Sequence, residues 1–471
     1  MRFLPLMVAG IVFATAGTAA ADEIHLAPQD RENLAVTVYQ SGIGFVEDWR
    51  STTLGSGSTR VGFEGVARRM IADSAAIAVA GARVSAIDYD FDVLSPATML
   101  RASVGREVSV IRTHPTTGED AVERATVLAA ENGVVLRYRD RIETGVPGRL
   151  VFDSLPPGAR PSPTLVATIS AEAAGQRPLG LRYVTEGLAW RTDYVMTLDK
   201  DMAVLDLAGR AMLTNASGVD FEDARLALVA GDIRRVSSAH ADAPKAALAM
   251  RAMAEAAPAS TPRREGLGDV HLYAVDGTVT LADRQTKQIA LLSAAAVPVT
   301  REYVSEAQAP VFGPARGEPV PVHTKIRLRF DNDRKAGPGE PLPAGNARMF
   351  VRDAGGSLRL IGEDRVRHTP VDGKVELSPG RAFDVTVTRR QTDFVRTGLP
   401  RNVSESAHEI EIANARTEPV TVRVVEIIPG DWRILEASVP HDSSRADRAD
   451  WRISVPASGK EKLTYRVRVQ R

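Results

Sequence analysis

Asp88, Asp90 and Asp92 occupy alternate positions of one short segment. A β-strand turns such residues to the same face, and Ca2+ collects oxygens of this kind. Neighbours at i and i+2 lie roughly 7 Å apart, too far for one strand to chelate a cation alone. A solvated strand face is the expectation, and no metal ligand is assigned. The eight histidines (His25, His114, His240, His271, His323, His368, His408 and His441) nowhere approach metal-binding spacing, and no H-E-x-x-H occurs. Cysteine is absent, which removes thiolate chemistry and disulfides alike. No G-x-S-x-G elbow and no phosphate loop is present, and residues 55–58 (GSGS) form a flexible turn that opens no helix. Carboxylate pairs for glycoside cleavage meet in space and not in sequence, so the many Asp and Glu carry no information. Trp190, Trp432 and Trp451 could stack on sugars. The alternation around Trp190 places it in a core instead. Asn215 and Asn402 head glycosylation sequons, which matter only in a host that glycosylates. The sequence assigns no catalytic residue, cofactor or metal.

The elements around these residues are strands. Alternation with β-branched residues recurs at residues 35–39 and 87–93, and Ser95-Pro96 fits the cap and first residue of a short helix. Residues 108–111, 125–128, 134–136 and 149–152 are short strands set off by Gly, Pro and Asn turns, as in a small SH3-like barrel. Longer strands follow at 164–170, 181–184, 190–198, 209–214 and 225–230, and again from 271 to the C-terminus, including 383–388. Between them, residues 237–268 lose the β-pattern and become rich in Ala, Met, Pro and Ser, a mobile, partly helical insertion. The fold expected is mainly β: antiparallel sandwiches preceded by the small barrel.

The N-terminus points to export. Arg2, an uncharged apolar run over residues 3–15 and Ala19-Ala20-Ala21 before Asp22 make a signal peptide, 1–21, with the mature chain starting near Asp22. Roughly 450 residues remain, enough for about three domains of ~150. Basic and acidic residues balance at 59 each, which offers nucleic acid no electrostatic footprint. No other stretch is long and apolar enough to span a bilayer as a helix. With 25 % charged residues, 28 prolines and 5 % aromatics, the chain also lacks the apolar band of an outer-membrane barrel.

Residues 183–194 (YVTEGLAWRTDY), 213–221 (LTNASGVDF) and 226–231 (LALVAG) resemble the entry motifs of the bacterial DUF4139 family. Leu272-Tyr273, residues 342–345 (LPAG), 430–432 (GDW) and 451–457 (WRISVPA) follow in matching order, so the resemblance runs from about Gly180 to the end. Residues 91–96 (FDVLSP) are similar to longer members, which resemble mucoidy-inhibitor proteins. The resemblance implies an exported β-rich architecture and no activity. The organisation expected is a signal peptide, 1–21; an N-terminal β region, 22–95; the small barrel, 96–158; a sandwich, 159–320, carrying the insertion; and a C-terminal sandwich, 321–471. The function expected is a non-catalytic envelope module, periplasmic or secreted, that binds an envelope protein or polymer or serves structurally. An envelope polysaccharide or peptide hydrolase built from dispersed carboxylates is the alternative. The sequence leaves catalysis open while weighing against it, and it sets no oligomeric state.

Overall fold

Alternation sets the architecture. In the strand Val403–Asn414, Ser404, Ser406, His408, Ile410, Ile412 and Asn414 are buried while the residues between them are not, as a pleat with one face on a core requires. The computed structural model describes residues 23–90, 93–131, 133–155, 160–231, 233, 264–267, 270–353, 355–397, 403–442 and 445–470. It is 67 % strand and 3 % helix, the mainly β class that the alternation predicts. The proposed signal peptide and most of the 237–268 insertion lie outside the described residues. Among the described residues, no helix is long and apolar enough to cross a membrane.

Two sheets enclose the first core. One orders its strands Ile24–Leu26, Gly57–Glu64, Thr164–Ala171 and Ala82–Asp90; the other runs Arg264–Leu267, Val270–Leu281, Phe221–Ala230, Arg31–Tyr39, Ile43–Leu54, Gly175–Glu186 and Ala76–Val79. Val36, Val46 and Leu181 meet Phe63, Leu165 and Ile169 in a single apolar cluster. Residues from before and after the small sheet therefore share one core. Arg50, fully buried, staples the two layers. Its guanidinium donates to Asp48 at 2.6 Å, to the Leu26 carbonyl at 2.6 Å and to the Glu64 carbonyl at 3.0 Å. A buried ion pair holds only when its remaining donors find partners, and here backbone carbonyls supply them.

The small sheet interrupts this sandwich. After the helix Pro96–Ala102, capped by Ser95 as expected, it orders Ile142–Thr144, Val135–Arg137, Asp120–Ala129, Glu107–Thr113 and Arg149–Val151 around Val110, Val127 and Leu136. The anticipated strands are present, with Ile142–Thr144 added, but the sheet does not close into a barrel. Its two end strands are three residues each and pair on one side only.

Two further sheets complete the molecule. A five-stranded sheet orders Gln285–Pro298, Val204–Asn215, Leu188–Leu198, Gly345–Arg352 and Leu358–Val366. An eight-stranded sheet orders Asp431–Ala437, Gly459–Gln470, Val403–Asn414, Lys374–Thr397, Val322–Asp331, Thr300–Gln308, Val420–Ile427 and Arg448–Val455. Single strands pass from core to core. Leu188 and Trp190 belong to the first cluster, and Tyr194, Met196 and Leu198 to the next. Val375 and Leu377 belong to that second cluster, and Val385 and Val387 to the last. Without disulfides, burial of such side chains, about 1.5–3 kcal/mol each, is what holds the layers.

Two expectations need correction. The sheets are not purely antiparallel: Ile24–Leu26, Phe221–Ala230, Leu188–Leu198 and Thr300–Gln308 each have a parallel neighbour. These pairings join strands far apart in sequence, so no local turn signals them. The stretch without β-pattern also ends early, because Arg264–Leu267 pairs antiparallel with residues 270–273 as an edge strand.

Candidate functional site

The aspartates come first. Asp88 lies 4.0 Å from the Arg60 guanidinium, and Asp90 accepts from Arg160 at 3.3 Å; Asp92 lies outside the described residues. Arg160 also grips Glu23 in a forked pair at 2.5 and 3.1 Å. Glu23 is held below its ordinary pKa by Arg160, against the opposing effect of its burial. The bidentate Glu23–Arg160 pair ties the start of the first strand to Arg160. Among the described residues, no three His, Asp or Glu side chains group as metal ligands.

Nearest to an acid–base constellation is a cluster within the eight-stranded sheet. Ser406 Oγ and His408 Nε2 are 2.9 Å apart, within reach for a nucleophile and its base. Ser406 is 1 % exposed and His408 5 %. Burial drops the imidazole pKa to about 4, so it is neutral at pH 7. Its ring stacks on Tyr465 at 4.8 Å between centroids, and Tyr465 packs on Trp451 at 5.0 Å. Glu426 would have to orient the histidine in a triad, yet its oxygens accept from Arg389 at 2.7 Å and from the Tyr465 hydroxyl at 3.1 Å. Arg389 in turn donates to the Ser305 hydroxyl and carbonyl. Burial raises the Glu426 pKa, with Arg389 and Tyr465 opposing the rise. Every charged member thus has a protein partner, the pattern of a network that specifies a core. The backbone at Val311 lies over it, accepting from the Ser404 hydroxyl at 2.6 Å.

Trp190 and Trp451 are buried, and each indole N–H donates to a carbonyl, of Val229 at 3.0 Å and of Val439 at 3.1 Å. Trp190 is a core residue as its alternation predicts. Trp432, half-buried, donates to Ala446. These three build no common platform.

The tryptophan that shapes the surface is Trp49, which the sequence did not single out. It lies against Gly180 of the neighbouring strand, where a Cβ would come within 2.7 Å of the indole. Arg182 covers the ring at 5.9 Å and lies 2.9 Å from the Glu47 carboxylate. Beside Trp49 opens a groove of about 590 Å3 walled by Ile77, Val79, Arg83, Val84 and Pro178. It lies where the edge strand Ala76–Val79 of one sheet turns into the edge strand Ala82–Asp90 of the other. Its signal in the sequence is faint: a tryptophan at an outward position opposite a strand glycine.

The motif residues converge elsewhere, at the joint between the first two cores. The loop before Gly345–Arg352 is gripped by Tyr194, whose hydroxyl donates to the Pro343 carbonyl at 2.6 Å, and by Tyr273, which donates to Pro341 at 2.9 Å. The Ala344 N–H donates to His368 at 3.2 Å. At Gly345 an added Cβ would meet the Thr192 carbonyl at 2.2 Å, so only glycine lets this strand pair parallel with Leu188–Leu198. Asn215, buried in its sequon, donates to the carbonyls of Val219 and Leu281 and is closed to a glycan in the fold. Residues 179–470 match the Domain of unknown function (DUF4139). The chain belongs to the DUF4139 family. No curated protein matches it. Within the DUF4139 region, Asn332 and Asn414 repeat the device of Asn215: each is buried, and each donates to loop carbonyls that follow its strand and to a second segment. This recurring asparagine corner escaped the sequence reading, because the three sites share little beyond an apolar residue two positions before the asparagine.

Proposed function

We propose that this DUF4139 protein is an exported, non-catalytic module of the cell envelope, periplasmic or secreted, that binds a partner at its surface. The observation that supports binding is the Trp49 groove, apolar and open beside a sheet edge that has no strand partner among the described residues, since ligand sites are mostly apolar concavities with few polar groups. The groups with perturbed pKa that would serve catalysis, His408 and Glu426, are instead enclosed and paired with protein. Export rests on the signal-peptide pattern of residues 1–21, and the purified mature chain should begin close to Asp22 by N-terminal sequencing. Co-sedimentation with washed cell envelopes tests the binding reading. Saturable retention without release of soluble glycan or peptide supports it. Release above that of heat-inactivated protein would favour the hydrolase alternative, and a chain that stays in the supernatant contradicts envelope binding.

A further inference from the structure

Ten strands end a sheet among the described residues. Eight of them carry at least one Asp, Glu, Lys or Arg, the usual protection of an open edge. Of the other two, Ile24–Leu26 is three residues long and holds His25 at 3.0 Å from Glu64. Ala76–Val79 remains: Ala-Ile-Ala-Val, with no charge, no proline and no bulge. Among the described residues it pairs with Leu179–Arg182 of the strand Gly175–Glu186 on one side and with no strand on the other. Among the described residues its outer side has no strand neighbour, so alternate N–H and C=O groups there lack a ladder partner. Ile77, Val79 and Val84 are only partly buried against the first core.

We propose, resting on the binding reading above, that this edge takes up an extended, mostly apolar segment of a partner protein as an added β-strand. An acidic side chain of that segment pairs with Arg83. Strand addition supplies the missing backbone partners, and alternate side chains of the guest enter the groove between Trp49 and Val84. The rim selects for acid. Arg83 is exposed at the groove, Arg177 is engaged with the carbonyls of Ala80 and Ala173, and Glu47 is occupied by Arg182.

A random linear peptide library panned on the folded full-length protein, with Arg83→Glu for counter-selection, tests this. A selected peptide is then titrated by fluorescence anisotropy beside its analogue N-methylated at alternate amides. The expected peptides alternate apolar residues and carry an Asp or Glu. Both N-methylation and Arg83→Glu should weaken binding by about tenfold or more, the cost of losing hydrogen bonds or a charged partner, and amide exchange should slow at residues 76–79. Peptides that bind equally well after both changes overturn the edge as the site while leaving a binding module intact. Failure to enrich any peptide, or a dimer whose interface protects residues 76–79, overturns the proposal even where envelope retention succeeds.

Discussion

His408 would ionise near pH 6.5 in the unfolded chain but only near 4 in the fold, because burial disfavours its charged form. Between those values the unfolded state binds the extra proton, so stability falls as pH drops from about 6.5 to about 4, by ~3 kcal/mol in all. Glu426 works in the opposite sense: its raised pKa makes the folded state take up a proton first on acidification. Urea unfolding of His408→Phe compared with wild type across that window separates the two. The variant should lose the histidine's share of the acid loss; an unchanged difference between the two proteins at every pH would refute it. Asn414 is a second lever. Its amide donates to the carbonyls of Glu418 and Pro456 at 2.8 and 2.9 Å in a buried corner. Asn414→Ala leaves both without that donor and should cost about 2–3 kcal/mol, read from the urea midpoint. At this scale the sequence disclosed little. Ser406, His408 and Glu426 are ordinary residues of two alternating strands until the fold sets those strands around Tyr465, whereas Trp190 declared its burial through its alternation.

Strands were the most legible elements, since period-2 burial is written into many of them, as in Val403–Asn414 and Val204–Asn215, and the Ser95 cap announced its helix. What one strand cannot encode is its neighbour. The parallel pairing of Leu188–Leu198 with Gly345–Arg352 depends on a glycine whose role appears only when Thr192 stands opposite it. Gly345→Ala should therefore destabilise by about 1–3 kcal/mol, as overpacking against backbone does. A loss below about 1 kcal/mol in thermal or urea unfolding would show that the strand can shift away. The strand Lys374–Thr397 misleads in another way. The sequence marked only residues 383–388 as extended. The chain instead runs through, with Pro379 lying where the register with Val322–Asp331 slips and Gly380 at φ 154°. A proline is tolerated at such an irregularity because no ladder hydrogen bond is required of it.

For the whole molecule, cores are shared along continuous strands and not divided at linkers. The first sandwich draws on residues from both sides of the small sheet, and the strands Leu188–Leu198 and Lys374–Thr397 each serve two cores. Period-2 alternation foretold a mainly β protein, and ordered motifs foretold the DUF4139 region. The edge at Ala76–Val79 was invisible, because openness belongs to a sheet and not to four residues. A photo-activated cross-linker placed at Ala78 in living cells tests the account most directly, with Glu376 on the eight-stranded sheet as the control position. A discrete cross-linked species is expected from Ala78, absent from Glu376 and lost in the Arg83→Glu background. No adduct at Ala78, or the same adducts from both positions, would contradict it.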